Sequence, residues 1–295
     1  MKALNFGSLN LDYVYQVAHF VQPGETLSAL SQAVFPGGKG LNQSVALAKA
    51  GADVRHAGCL GQGGAMLKQV LQDSGVKLEH LVPVNEIQGN AVIQVNPEGQ
   101  NCILLFGGSN QCVTPEQIEK TFACFEAGDY LILQNEINML PEIVDAGFAR
   151  GMNIVLNPSP FNEKIKAVDL SKISWLLMNE IEAEQLSGSP DPEEAWKILH
   201  NRQPGLSAVI TLGGEGSIAF TGAETVHQEA FRVKAVDTTA AGDTFTGFFI
   251  AGLMAGLPLA ECLRRASLAS SISVTRPGAA SSIPTKEEVD RALQK

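Results

Sequence analysis

From Tyr130 onward, short apolar runs alternate with stretches whose apolar residues recur every three or four positions. Tyr130–Gln134, residues 154–157, Trp175–Asn179 and residues 208–212 are too short for buried helices and read as strands. Leu140, Ile143, Val144 and Phe148 mark a helix between the first two, residues 181–186 another, and Ile118, Phe122 and Phe125 one upstream. Such alternation predicts an α/β fold with a mostly parallel sheet, because a parallel strand pair needs a crossover that lies on a sheet face. The chain opens with the same rhythm. Residues 3–7 read as a strand, and Leu41, Val45 and Ala48 as a helix stopped by Gly51. Residues 54–59 follow as a strand, and residues 66–74 as a helix closed by Gly75. Two late helices follow Gly242 and Pro258.

Two stretches break the rhythm. Asn90–Val95 and Asn101–Phe106 have strand character and flank Asn96-Pro97-Glu98-Gly99, a turn sequence that makes them a hairpin. Between Leu11 and Phe35 the chain again has strand character, with Pro23-Gly24 as a break. Together these stretches predict a small sheet projecting from the main body, over about residues 12–36 and 89–106 of one domain spanning 1–295. Ligands of open α/β sheets bind beyond the C-terminal ends of the strands, so each chemically loaded segment is expected directly after a strand.

The most loaded segment is Asp237-Thr238-Thr239-Ala240-Ala241-Gly242-Asp243, which leads into the apolar helix Thr244-Phe245-Thr246-Gly247-Phe248-Phe249-Ile250. Small residues at a helix start let backbone N–H groups approach a ligand, and the helix dipole favours an anion such as phosphate there. Asp243, in the first turn, could accept a proton from an attacking hydroxyl. Taken alone, an acid at that position more often caps the helix. Pro36-Gly37-Gly38-Lys39-Gly40-Leu41-Asn42-Gln43 also opens a helix but lacks the Walker spacing, so its glycines suit close approach to a polyol. In Gly7-Ser8-Leu9-Asn10-Leu11-Asp12, the amide of Asn10 and the carboxylate of Asp12 face one way on an extended chain and could clamp hydroxyls, although an Asx turn would use the same residues.

Composition narrows the functions. A net charge of −10 argues against nucleic acid or an anionic membrane as partner, since both require a basic face. The five cysteines are odd in number and contain no C-x-x-C pair, which disfavours a disulfide framework or a zinc site and fits a reducing compartment. With no signal-like or membrane-length apolar run, a cytoplasmic location is expected. The histidines, at 19, 56, 80, 200 and 227, show no ligand spacing. Lys39 reads as an electrophile, a brace for the glycine turn or a surface charge.

In order and spacing, G-S-x-N-x-D, G-G-K-G-x-N, Asn179-Glu180-Ile181-Glu182, Thr211-Leu212-Gly213-Gly214-Glu215-Gly216 and D-T-T-A-A-G-D together resemble the ribokinase family of carbohydrate kinases, from Asn5 to about Pro284. The resemblance implies a helix-sandwiched sheet with a small β-sheet lid that also forms a homodimer contact. It makes Asp243 the catalytic base and Ala240, Ala241 and Gly242 the anion hole. Asn10, Asp12, Gly38, Lys39, Asn42 and Glu136 become sugar contacts, and Thr211, Leu212, Gly213, Gly214, Glu215 and Gly216 the ATP loop. Asn179 and Glu182 would organise Mg²⁺ and its waters; Asp237, Thr239, Ser273, Arg276, Gly278 and Ser282 would hold K⁺, mostly through carbonyls. Asn10-Leu11-Asp12 and Gly108-Ser109-Asn110 resemble members that phosphorylate the 5-hydroxyl of D-ribose. Another sugar, a nucleoside, or a non-catalytic sugar-binding regulator are the alternatives. One departure stands out: Gly61-Gln62-Gly63-Gly64-Ala65-Met66 lacks the acids that many members carry after the second strand, and Met66 replaces the glycine that follows.

Overall fold

The computed structural model describes residues 1–294. Its elements run β1 (Ala3–Phe6), β2 (Asn10–Gln16), β3 (Ser31–Gly37), α1 (Lys39–Lys49), β4 (Val54–Gln62) and α2 (Ala65–Asp73). Then come β5 (Lys77–Ile87), β6 (Asn90–Val95), β7 (Asn101–Phe106), α3 (Pro115–Phe122), β8 (Tyr130–Gln134), α4 (Leu140–Ala149) and β9 (Asn153–Asn157). The second half contains β10 (Trp175–Asn179), α5 (Glu180–Ser187), α6 (Pro192–Arg202), β11 (Ser207–Thr211), β12 (Ser217–Phe220) and β13 (Thr225–Gln228). It closes with α7 (Ala241–Met254), α8 (Leu259–Ser273) and α9 (Lys286–Leu293).

Nine strands form the main sheet, in the order β13-β12-β11-β10-β9-β8-β1-β4-β5. The run from β11 to β5 is parallel, and only β12 and β13 are antiparallel. The period of two along each strand splits the core into two clusters. Leu131, Leu133, Leu176 and Met178 pack with α3 to α6 on one face. Ile132, Val155, Leu177 and Val209 pack with α1, α2, α7 and α8 on the other. Central strands apolar on both faces can only lie between two helix layers, and the helices between them supply those layers. A separate four-stranded sheet has the order β3-β2-β6-β7. It covers nearly the expected stretches, with β2 starting at Asn10 and β3 ending at Gly37.

Several expectations need correction. Phe125 is core but lies beyond the end of α3, and Phe148 of α4 is 54% exposed and does not face the core. The strand β4 runs three residues past 59, so Gly61 and Gln62 belong to it. Sequence periodicity missed β5, whose polar residues Lys77, Glu79 and Asn85 belong to a sheet edge, together with α6, β12, β13 and α9. The Asp237–Asp243 segment does not directly follow a strand: β13 ends at Gln228 and irregular chain intervenes. No helix among the described residues is long and apolar enough to cross a membrane.

Candidate active site

Asp243 stands in the first turn of α7, whose N-cap is Ala240. Ala240 has φ +59°, a left-handed conformation that costs a residue with a Cβ roughly 1–2 kcal/mol. This turn opens the helix towards a cleft, where its first N–H groups have no partner within the helix. A Cβ built on Gly242 would meet no atom within 4 Å, so the space above it is free for a ligand.

Asp243 is buried, and each of its oxygens accepts a hydrogen bond from α1: Asn42 Nδ2 donates to Oδ2 at 3.0 Å and Gln43 Nε2 to Oδ1 at 2.9 Å. Asn42 Oδ1 is buried without a partner, so one acceptor beside Asp243 is left unsatisfied. The helix α1 can reach Asp243 because it starts backbone to backbone on the β1–β2 turn. A Cβ on Gly40 would lie 2.3 Å from Ser8 N, and Gly38, with φ +91°, passes beside the Asn10 backbone.

The same approach brings together most of the expected sugar contacts. Glu136, two residues past β8, accepts from Lys39 N at 3.0 Å and from Ser8 Oγ. Burial raises its pKa; Lys39 and the Ser8 hydrogen bond offset this only in part, and Asp243 adds to the rise. Asp12, on β2, is pushed up to about 7 by burial, then by Glu136 and Asp243. Burial alone would lower the pKa of Lys39, but Asp243, Glu136 and Glu182 outweigh it and hold the ammonium above its usual value. Lys39 is thus not a surface charge but the cation of an acidic cup. Asn10 is buried, and its Oδ1 accepts from Asn110 Nδ2 at 2.7 Å. Asn110 in turn holds the Leu9 N–H and carbonyl, at 2.9 and 3.1 Å, which ties the Gly108-Ser109-Asn110 segment to the start of β2.

Two cavities meet at Ala241 and Gly242. One, of about 260 Å³, is lined by Lys39, Asn157, Asn179, Glu182 and Asp243. The other, of about 680 Å³, lies between the Thr211, Gly213, Gly214 and Gly216 loop, residues Phe231–Val233 and the face of α8 bearing Ser267 and Ser271. Leu212 and Glu215, expected in the same loop, instead line a separate acidic depression with Glu180, Asp191 and Glu193. In the tight turn between β11 and β12 the glycines face one side and these two residues the other.

Asn179 and Glu182 form a capping box on α5: Asn179 Oδ1 accepts from Glu182 N at 2.8 Å, and Glu182 Oε2 from Asn179 N at 3.1 Å. Their polar groups therefore also serve the helix start. One carboxylate with nearby amides suits a hydrated Mg²⁺, which takes few protein ligands and keeps its waters. Among the described residues no group of three or more acids, histidines or cysteines forms a denser cation site.

Asp237 ties the expected cation segments together. Its Oδ1 accepts from Thr239 N and its Oδ2 from Gly278 N, both at 2.9 Å. Burial would raise its pKa, but these bonds hold it below the usual carboxylate value. Arg276 points its guanidinium to Glu288, at 2.6 Å, so only its main chain is available to a cation. Ser273 and Ser282 lie in the same turn region, buried and bonded locally to the Ser270 and Ala279 carbonyls. A carbonyl-rich turn beside one ionised carboxylate fits a weakly hydrated monovalent cation better than Mg²⁺.

Sequence reasoning missed Gln43, Asn157 and Phe231–Val233. Gln43 was legible as the neighbour of Asn42 on a helix start, and Asn157 as the last residue of a parallel strand. The 231–233 stretch has neither periodicity nor motif.

The chain matches the model of the pfkB family carbohydrate kinases over residues 2–286. The chain belongs to that family. It is thus a phosphotransferase whose acceptor is an alcohol group. It is 36% identical to a ribokinase of Haemophilus influenzae, over 98% of this chain and 97% of the relative. A Staphylococcus aureus ribokinase is also 36% identical, over 98% of this chain and 99% of that one. Among solved structures, a ribokinase of Arabidopsis thaliana complexed with ribose and ATP superposes with a TM-score of 0.87 at 30% identity, covering 100% of this chain and 99% of that one. A ribokinase of Thermotoga maritima also gives a TM-score of 0.87, at 34% identity with 100% of both chains covered.

Proposed function

We propose that this chain transfers the γ-phosphoryl group of ATP directly to the 5-hydroxyl of D-ribose, with Asp243 as general base. The observation that carries this reading is the position of Asp243. It stands between the acidic cup of Asp12, Glu136 and Lys39 and the cavity floored by Ala241 and Gly242. A hydroxyl in the cup lies next to the base, and a phosphate at the helix start lies next to that hydroxyl. Phosphoryl transfer needs this alignment and little covalent chemistry. The names of the relatives, and ribose with ATP in the Arabidopsis structure, support this choice of substrates.

In this reading Asn10, Asp12, Asn42 and Glu136 bind the sugar hydroxyls. The main chain at Ala240, Ala241 and Gly242 meets the transferring phosphoryl, and the Thr211–Gly216 glycines border the nucleotide. Asn179 and Glu182 would hold the waters of Mg²⁺, which when bound neutralises phosphate charge. The main chain around Asp237, Thr239, Ser273, Arg276, Gly278 and Ser282 would hold K⁺, fixing the turn that carries Ala240. The four-stranded sheet would serve as a lid. Its edge strand β7 carries Ile103, Leu104, Leu105 and Phe106, each at least 50% exposed. Such a row on an unpaired edge suits a second copy of the chain, giving a homodimer. Five free cysteines, two of them exposed, suit the reducing cytoplasm.

The test is a substrate panel on purified protein with ATP and Mg²⁺, in K⁺ and in Na⁺. D-Ribose should give the highest kcat/KM, with a faster rate in K⁺. Asp243→Asn should lose about 10³ in kcat while still binding ribose. A tenfold preference for fructose or adenosine, or wild-type turnover by Asp243→Asn, would refute the reading.

A further inference from the structure

Behind Asp243 runs a chain of fully buried polar side chains that reaches no solvent and touches no cavity described above. Gln43, Gln134, Asn5, Ser44 and His56 are all at 0% exposure. They come from four different elements: α1 supplies Gln43 and Ser44, β8 supplies Gln134, β1 supplies Asn5 and β4 supplies His56. A row of polar groups crossing the core costs desolvation at every member, so its hydrogen bonds must be accounted for.

The direction of each bond on the way to Asp243 follows from one backbone carbonyl. Gly40 O can only accept, so Asn5 must present its Nδ2 there, at 2.8 Å, and its second N–H goes to Ser44 Oγ at 2.9 Å. Ser44 Oγ shares a 2.9 Å hydrogen bond with Nδ1 of His56, whose direction depends on which ring nitrogen carries the proton. Burial lowers the His56 pKa to about 3 and keeps the ring neutral. With both Asn5 donors used, Asn5 Oδ1 faces Gln134 as an acceptor. Gln134 must therefore turn its NH₂ group inward, and it donates both ways: to Asn5 Oδ1 at 2.9 Å and to Gln43 Oε1 at 2.6 Å. That leaves Gln43 one orientation, with Nε2 donating to Asp243 Oδ1 at 2.9 Å.

The cost of this arrangement is visible. Gln134 Oε1 is buried with no partner, and it packs so closely on Gly7 that a Cβ there would lie 2.3 Å away. An orphaned buried acceptor typically costs about 1–3 kcal/mol. Flipping the amide would not relieve the strain, because it would set Oε1 against the two acceptors Asn5 Oδ1 and Gln43 Oε1. The orphan is the consequence of aiming two donors from one amide.

We propose that Gln134 is a positioning residue for the transfer reaction: by donating to Gln43 Oε1 it locks the Gln43 amide with its N–H on Asp243, and so fixes the carboxylate in its reactive orientation. The proposal rests on Asp243 being the base. Gln134 itself touches neither substrate pocket and acts only through Gln43. Its loss therefore changes how well the carboxylate is aimed, not how sugar or nucleotide binds. Small misplacements of a reacting group cost up to about 10²-fold in rate.

The test compares Gln134→Met, Gln134→Glu, Gln43→Met and the double variant Gln43→Met/Gln134→Met with wild type and Asp243→Asn. Steady-state kinetics with D-ribose and ATP are measured beside the thermal midpoint. Gln134→Met should lower kcat about 10- to 100-fold, with KM for both substrates within about twofold. Gln134→Glu keeps the volume, but buried between two acceptors it is protonated and has one O–H where the amide has two N–H donors; it should lower kcat, though less than Gln134→Met. The double variant should be no slower than Gln43→Met alone, since one residue acts through the other. Wild-type kcat in both Gln134 variants would overturn the proposal. So would losses that multiply in the double variant, or a rise in KM matching the fall in kcat. If Gln134→Met does not fold, Gln134→Glu and Gln43→Met decide it: a lowered kcat with KM kept in both supports the proposal, and wild-type kcat in either overturns it. Wild-type turnover by Asp243→Asn would sink the base assignment instead. An inactive Asp243→Asn beside fully active Gln134 variants would sink this proposal alone.

Discussion

Ribose affinity should rise with pH across neutrality, and Asp12 should be the cause. Burial and the nearby Glu136 and Asp243 push its carboxyl up to about 7 in the free protein. With that pKa about one Asp12 in eleven is ionised at pH 6 and about ten in eleven at pH 8. An ionised carboxylate accepts two sugar hydroxyls in charge-assisted bonds worth about 1.5–3 kcal/mol each, which the protonated form cannot match. If only the ionised form binds well, D-ribose affinity rises about tenfold from pH 6 to pH 8, the ratio of those fractions. Linkage adds a second readout: binding at pH 6 should release close to one proton, and at pH 8 very little. Stability responds in the opposite sense. Between 3.8 and about 7 the folded chain holds a proton that the unfolded chain has released, so this group's contribution to stability falls as pH rises through that window. Titration calorimetry with D-ribose, without nucleotide and in two buffers of different ionisation heat, measures both affinity and protons. Asp12→Asn should remove the tenfold slope, leaving only what Glu136 contributes. Equal slopes in Asp12→Asn and wild type, or affinity that falls with rising pH, would refute the argument.

Two glycines make further predictions. A Cβ on Gly37 would sit 2.0 Å from Asp12 Oδ2, so Gly37→Ala should push that carboxylate aside, weakening D-ribose binding at least tenfold with a midpoint within about 2 °C of wild type; unchanged affinity would contradict it. A Cβ on Gly247 would lie 2.3 Å from Ala46 Cβ and 2.8 Å from the Ala46 main chain, so Gly247→Ala should wedge α7 from α1. Urea unfolding should show a loss of about 1–3 kcal/mol, and kcat should fall because Asn42 and Gln43 move away from Asp243; wild-type stability would show that the helices are not held at this point.

How much was legible depended on the physics of each element. Central strands such as Trp175–Asn179 were readable because burial on both faces leaves a continuous apolar run. The edge strand β5 was not, since seven of its eleven residues are exposed and none is buried, so that it looks like loop. Asp243, Asn42 and Glu136 were readable because they stand at helix starts and strand ends, the positions where α/β sheets hold ligands. The division of Thr211–Gly216 into glycines at the cavity and Leu212 and Glu215 outside it depends on a turn geometry that no pattern of apolar residues encodes. The polar chain behind Asp243 was equally hidden. Asn5 and Gln134 sit in apolar strands where a sequence shows only a polar interruption, and their partners lie 35 to 129 residues away.

The strand β2 begins at Asn10 and carries Asp12, yet it also pairs with β3 and β6 at the heart of the smaller sheet. In the proposed reading, sugar is therefore held partly by the lid itself, through Asn10 and Asp12, as well as by Asn42 and Glu136 on the main body. Any displacement of that sheet is a displacement of Asp12. Thermodynamic reciprocity then applies: whatever fixes the outer strands, such as a neighbouring protein seated on β7, must change sugar affinity by the same factor by which sugar changes its own. If chains associate through β7, this one short strand would couple that association to recognition of the sugar.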